Sequence, residues 1–120
     1  EHHDDSHIIH IGSMSGHRVP PGANGVYGAT RFAVRALTES LRQEMQVAKR
    51  PVRVTTISPG LVETGFASNY AGSADAAEKT YGALKCLQSE DVASAVLYAL
   101  AQPDHVQIHD ILLRPKEQGS

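Results

Sequence analysis

Short β-branched or aliphatic runs, separated by stretches of helical period, are the tightest constraint on this chain. Ile8-Ile9-His10-Ile11 stops at Gly12-Ser13 and is too short for a helix, which predicts a buried strand over 7–11. Val52-Arg53-Val54-Thr55-Thr56-Ile57 predicts a second strand, stopped by Ser58-Pro59-Gly60, and 106–113 predicts a third. Between the first two, Ala29, Ala33, Leu37, Leu41 and Met45 recur every four residues and predict a helix over 26–48, ended by Pro51. Residues 74–86 predict a smaller helix, with Ala77, Tyr81 and Leu84 on one side. A further helix begins at Ser89-Glu90-Asp91, with Ser89 as N-cap and Val92, Val96 and Leu100 on its apolar face, and Pro103 closes it.

Strands joined through helices predict an α/β fold with parallel crossovers, here part of a doubly wound sheet. In such sheets ligands bind beyond the carboxyl ends of the strands. Two segments stand there, Gly12-Ser13-Met14-Ser15 and Ser58-Pro59-Gly60-Leu61-Val62-Glu63-Thr64. The first opens a Gly/Pro/Ser-rich loop that runs to Gly25, with Pro20-Pro21-Gly22 and Asn24-Gly25 as turn signals. The second leads into a long loop, 61–73, with one helical turn.

Composition narrows the functional classes. A formal net charge of −2 argues against a dedicated nucleic-acid binder. The single cysteine, Cys86, excludes an internal disulfide framework, and its default reading is a buried structural thiol. The longest apolar stretch, Val92 to Ala101, is about half of what spans a bilayer. Six basic residues gather between Arg31 and Arg53, but the interleaved Glu39 and Glu44 favour a solvated helix face. His2, His3, His7 and His10 lack the carboxylate or cysteine spacing of a metal site, so no metal is expected. His17 reads as a solvated loop histidine. Tyr70 and Tyr81 either wall a pocket or pack the small helix.

Three features converge on chemistry. Ser13 follows the first strand, Tyr27 and Arg31 lie one helical turn apart, and Pro59-Gly60 follows the second strand. A tyrosine serves as general acid or base when a neighbouring cation favours its phenolate, and a serine hydroxyl can hydrogen-bond the same substrate oxygen. That division of labour suits carbonyl/alcohol interconversion. No side chain donates hydride, so a bound nicotinamide is implied.

The segments Ile8 to Gly16, Tyr27-Gly28-Ala29-Thr30-Arg31 and Ser58 to Thr64 together resemble the C-terminal half of a short-chain dehydrogenase/reductase, over almost the whole chain. The resemblance implies Tyr27 as acid/base and Ser13 as the group that polarises the carbonyl, with Ser15 ranked second. Tyr27, Arg31, Pro59, Gly60, Val62 and Thr64 would line the cofactor. NADP is implied in preference to NAD, with lipophilic or steroid-like carbonyls as substrates, a cytoplasmic location and a homo-oligomer built through the long helix.

Two departures stand out. The family lysine is Arg31 here, a wide planar fork that does not release a proton; the alternative reading is therefore a non-catalytic relative acting as a binding or scaffold protein. No glycine-rich phosphate loop precedes His7. The expectation is that 1–120 is the C-terminal part of one Rossmann-like domain whose dinucleotide-binding half lies elsewhere. The first strand would then present an unpaired edge, and the chain alone should show no micromolar binding when titrated with NADPH.

Overall fold

The computed structural model describes residues 6–19, 25–66, 69, 72 and 74–119. The turn signals at 20–22 and 24, Tyr70, His2 and His3 lie outside them. Three strands, β1 (Ser6–Ile11), β2 (Val52–Pro59) and β3 (Asp110–Leu113), form one parallel sheet in that order. A long helix α1 (Gly25–Val47) joins β1 to β2, and α2 (Ala74–Gly82) and α3 (Ser89–Leu100) lie between β2 and β3. This is the expected α/β arrangement. Among the described residues no helix is long and apolar enough to cross a membrane.

The core sits on β2, the middle strand, where Val54 and Ile57 are fully buried. Side chains alternate between the two faces of a strand. Thr56 turns to α1, donating to Thr38 Oγ1 at 3.2 Å, while Arg53 reaches the Gln102 carbonyl just past α3 at 3.0 Å. Every buried hydroxyl on β2 is bonded. Thr55 Oγ1 donates to the Ile108 carbonyl at 2.7 Å and Ser58 Oγ to Asp110 Oδ2 at 3.0 Å. Such pairing offsets the desolvation that an unbonded buried hydroxyl would suffer.

The sheet selects an unexpected side of α1. Gly28, Thr38 and Arg42 are buried, whereas Ala29, Ala33 and Leu37 face outward, Leu37 with 66% of its surface exposed. The polar inner side matches the polar strand beneath it. Thr38 Oγ1 gives its one proton to the Val34 carbonyl (2.7 Å), so His10 Nδ1, also 2.7 Å away, must be the donor. The solvated reading of the basic residues holds for the exposed Lys49 and Arg50 but not for the other four. Arg42 pairs with Glu39 and donates to the Val54 and His109 carbonyls, and Arg31, Arg35 and Arg53 are half-buried. Burial pulls the Arg42 guanidinium below its ordinary value, and Asp110 opposes part of that shift.

Four boundaries differ from expectation. β2 runs on through Ser58 and Pro59, which pair with Leu112 and Leu113; proline is tolerated where the ladder ends. The small helix stops at Gly82, because Leu87 leaves to pair with the 61–63 segment through the Val62–Leu87 bridge. Gln88, not Ser89, caps α3, its N–H held by Asp91 Oδ2 at 2.8 Å.

The fourth concerns β3, which begins at Asp110 rather than 106. The Gln107 carboxamide stands in for a strand peptide there. Its Nε2 donates to the Val54 carbonyl at 2.7 Å, and its Oε1 accepts the Val54 N–H at 3.4 Å. Gln107→Leu should therefore leave the buried Val54 N–H unpaired and its carbonyl with the longer bond from Arg42 Nη2, at 3.3 Å. It is expected to lower stability by about 1–3 kcal/mol in denaturant unfolding.

Candidate active site

The carboxyl ends of β1 and β2 open onto one cleft of about 590 Å³, a size suited to a small molecule. Ser13, Ser15, Tyr27, Arg31, Pro59, Gly60, Val62 and Thr64 all line it. Thus every residue singled out for chemistry or cofactor contact meets at the same place.

On the first rim, β1 ends and the chain turns through a short 3-10 segment, Met14–Gly16. Ser13 caps that turn, its Oγ accepting the Ser15 N–H at 3.1 Å. This fixes the oxygen and leaves its proton with no acceptor among the described residues. The turn rests on α1: Arg35 Nη1 donates to the Gly16 carbonyl at 2.9 Å. Below it, His17 Nε2 lies 3.3 Å from Asp110 Oδ2, and Arg35 Nε 3.9 Å from the same oxygen. His17 Nε2 is therefore buried beside a carboxylate rather than solvated.

α1 delivers Tyr27 and Arg31 together. The Arg31 guanidinium lies over the Tyr27 ring, 4.9 Å from its centroid, so the cation meets the face of the phenol ring. Phe66 approaches the same ring at 5.9 Å between centroids. Among the described residues Arg31 Nε is buried without a hydrogen-bond partner. A buried guanidinium donor lacking an acceptor fits a site made for a ligand rich in oxygen.

The second rim is tied at several points. Gly60 N–H donates to the Leu113 carbonyl at 2.7 Å, and the Leu61–Glu63 backbone bonds Leu87 on both sides, at 3.0 and 2.9 Å. Tyr81 Oη donates to the Thr64 carbonyl at 2.7 Å. Neither role left open for Tyr81 describes this: it is not among the residues lining the cleft, and its hydroxyl tethers the rim. Asn69 N–H donates to Gly65 O at 3.1 Å, the single helical turn expected in this loop.

Sequence reasoning missed Phe66, Ser89, Val92 and Gln118 as cleft residues. The first three lie in or beside segments already marked as loop or helix start, but nothing in the closing polar residues pointed Gln118 inward. Cys86 is buried; desolvation, with Glu63 adding to it, pushes its thiol up. His7 and His10 are bonded to Thr55 and Thr38. Among the described residues no group of three or more His, Cys, Asp or Glu could hold a metal ion.

Residues 2–108 match a family model described as enoyl-(acyl carrier protein) reductase. The chain is 56% identical over 117 residues to dehydrogenase/reductase SDR family member 11 of Bos taurus, covering 96% of this chain and 46% of that protein. It is 39% identical over 113 residues to a farnesol dehydrogenase of Aedes aegypti, covering 92% and 42%. A solved structure titled as the closed form of serine dehydrogenase complexed with NADP+ superposes with a TM-score of 0.87 at 40% identity, covering 95% of this chain and 46% of that one. The chain thus spans a little under half the length of these relatives.

Proposed function

Because the chain belongs to the short-chain dehydrogenase/reductase family, we propose that it is the C-terminal part of one Rossmann-like domain of an NAD(P)-dependent oxidoreductase that interconverts a ketone or aldehyde with an alcohol. One observation carries the reading: Ser13, Tyr27, Arg31 and the 59–64 rim line a single cleft at the carboxyl ends of adjacent parallel strands.

The residues present fit a nicotinamide dinucleotide. Among the described residues Arg31 Nε is a buried donor without a partner, and Pro59, Gly60, Val62 and Thr64 line the same cleft. Tyr27, Arg31, Pro59, Gly60, Val62 and Thr64 would hold the cofactor, NADP in preference to NAD. When bound, its reduced ring supplies the hydride that no side chain here can give. Tyr27 donates a proton to the carbonyl oxygen in reduction and removes it in oxidation. The Ser13 hydroxyl, its oxygen fixed by Ser15 N–H, donates a hydrogen bond to that same oxygen. Ile11, Met14, Val62, Phe66 and Val92 wall the cleft with apolar surface, which favours a lipophilic carbonyl, steroid-like ketones included. Exposed Val26, Phe32 and Leu37 on α1 support a homo-oligomer built through that helix.

The test is NADPH consumption by the full-length protein against a panel of lipophilic ketones and aldehydes. Turnover that depends on the carbonyl is expected, and none across the panel would refute the reading. The rival is a non-catalytic relative, and it draws on the placement of Arg31 over the ring face rather than at the hydroxyl. Arg31→Lys separates the two readings. A lysine presents a compact charge, so its turnover should rise above that of the parent, by roughly the tenfold that one hydrogen bond to a charged group is worth. No gain would defeat the idea that Arg31 restrains the rate.

A further inference from the structure

The last residues of the chain fold back over the cleft. Leu61 N–H donates to Gln118 Oε1 at 2.9 Å, and Gln118 Nε2 donates to Met14 Sδ at 3.0 Å. An N–H can only donate, so Leu61 fixes which end of the carboxamide is oxygen. One side chain therefore bonds both rims at once, beside Ser13 on one and beside Pro59-Gly60 on the other. Arg18 Nη2 clasps the next carbonyl, Gly119 O, at 3.2 Å. The packing is close: a Cβ on Gly60 would run into Gln118 Oε1 and stand 2.7 Å from Arg114 Cβ and 3.0 Å from Met14 Sδ. The side-chain direction of Gly60 is thus filled by the tail. Met14 itself is buried, 5% exposed.

We propose that Gln118 is a positioning residue, whose carboxamide sets the separation between the Ser13 turn and the 59–64 rim and so the alignment of carbonyl and cofactor between them. This rests on the oxidoreductase reading above. Misplacement by about an ångström costs on the order of a hundredfold in rate when two reactants must be aligned, so a clamp across the gap acts on kcat more than on affinity. The acceptor arm to Leu61 is the stronger of the two, since thioether sulfur is a weak acceptor.

Two substitutions in the full-length protein separate the arms. Gln118→Glu keeps an oxygen for Leu61 N–H and gives up the bond to Met14; Gln118→Leu gives up both. Amide exchange at Leu61 reads the clamp without any need for activity. It should quicken by roughly tenfold in Gln118→Leu, the worth of one hydrogen bond, and stay near the parent rate in Gln118→Glu. Turnover reads its consequence: kcat should fall roughly tenfold or more in Gln118→Leu, exceeding any rise in the KM for NADPH, with Gln118→Glu in between. Unchanged Leu61 exchange in both variants overturns the proposal, as does a change confined to KM. If the parent protein turns over no carbonyl while Leu61 exchange responds as stated, the clamp stands and the functional reading fails.

Discussion

Tyr27→Phe in the full-length protein is expected to lower kcat for carbonyl reduction by roughly 10²- to 10⁴-fold, the usual contribution of a positioned general acid or base. The phenylalanine keeps the ring, and with it the contacts to Arg31 at 4.9 Å and Phe66 at 5.9 Å. What it removes is the hydroxyl, the proton carrier in the proposed reaction. A rate loss far larger than any loss of thermal stability separates a chemical role from a structural one. Steady-state kinetics with NADPH and a ketone, beside thermal unfolding, checks both halves. A variant within a few-fold of the parent would remove Tyr27 from the mechanism.

Gly16→Ala should strike the site from beneath. A Cβ at Gly16 would stand 2.7 Å from the Arg31 carbonyl oxygen and 3.1 Å from its carbon. Those are backbone atoms of α1, and a helix does not give way as the tip of a flexible side chain does. The 3-10 turn must move off the helix instead, carrying Ser13 away from Tyr27. Overpacking of this kind costs about 1–3 kcal/mol, and turnover should fall with it. Gly25→Ala is the control, since among the described residues nothing lies within 4 Å of a Cβ there. Equal stability and turnover in the two variants would show that the turn does not depend on this contact.

The strands and the long helix were legible because their signals are local. Ile8 to Ile11 and Val52 to Ile57 are β-branched runs ended by Gly, Ser and Pro, and the order of elements implies a parallel sheet with its binding rim at the strand ends. The candidate site follows from that topology, since Ser13 and Pro59-Gly60 each close a strand and α1 starts beside them. What stayed hidden depends on side chains acting across distance. Nothing in the period of α1 tells that Thr38 and Arg42 face inward; that choice belongs to β2, where Thr56 donates to Thr38 and the Val54 carbonyl accepts from Arg42. Nothing local shortens β3, because the bond responsible joins Gln107 to Val54. His17 looked solvated because Asp110, the carboxylate it is buried beside, is far away in the chain. Gln118 reads as tail until the fold brings it to Leu61 and Met14.

The central claim is that Ser13 and Tyr27 act on one oxygen atom. A double-mutant cycle of Ser13→Ala and Tyr27→Phe, read as kcat/KM for a reducible ketone, tests it most directly. Groups that work as a unit lose most of their effect once either is gone. The double variant should therefore be scarcely slower than Tyr27→Phe alone. If the two losses instead multiply in full, the hydroxyls act independently, and the shared carbonyl on which this mechanism rests is wrong.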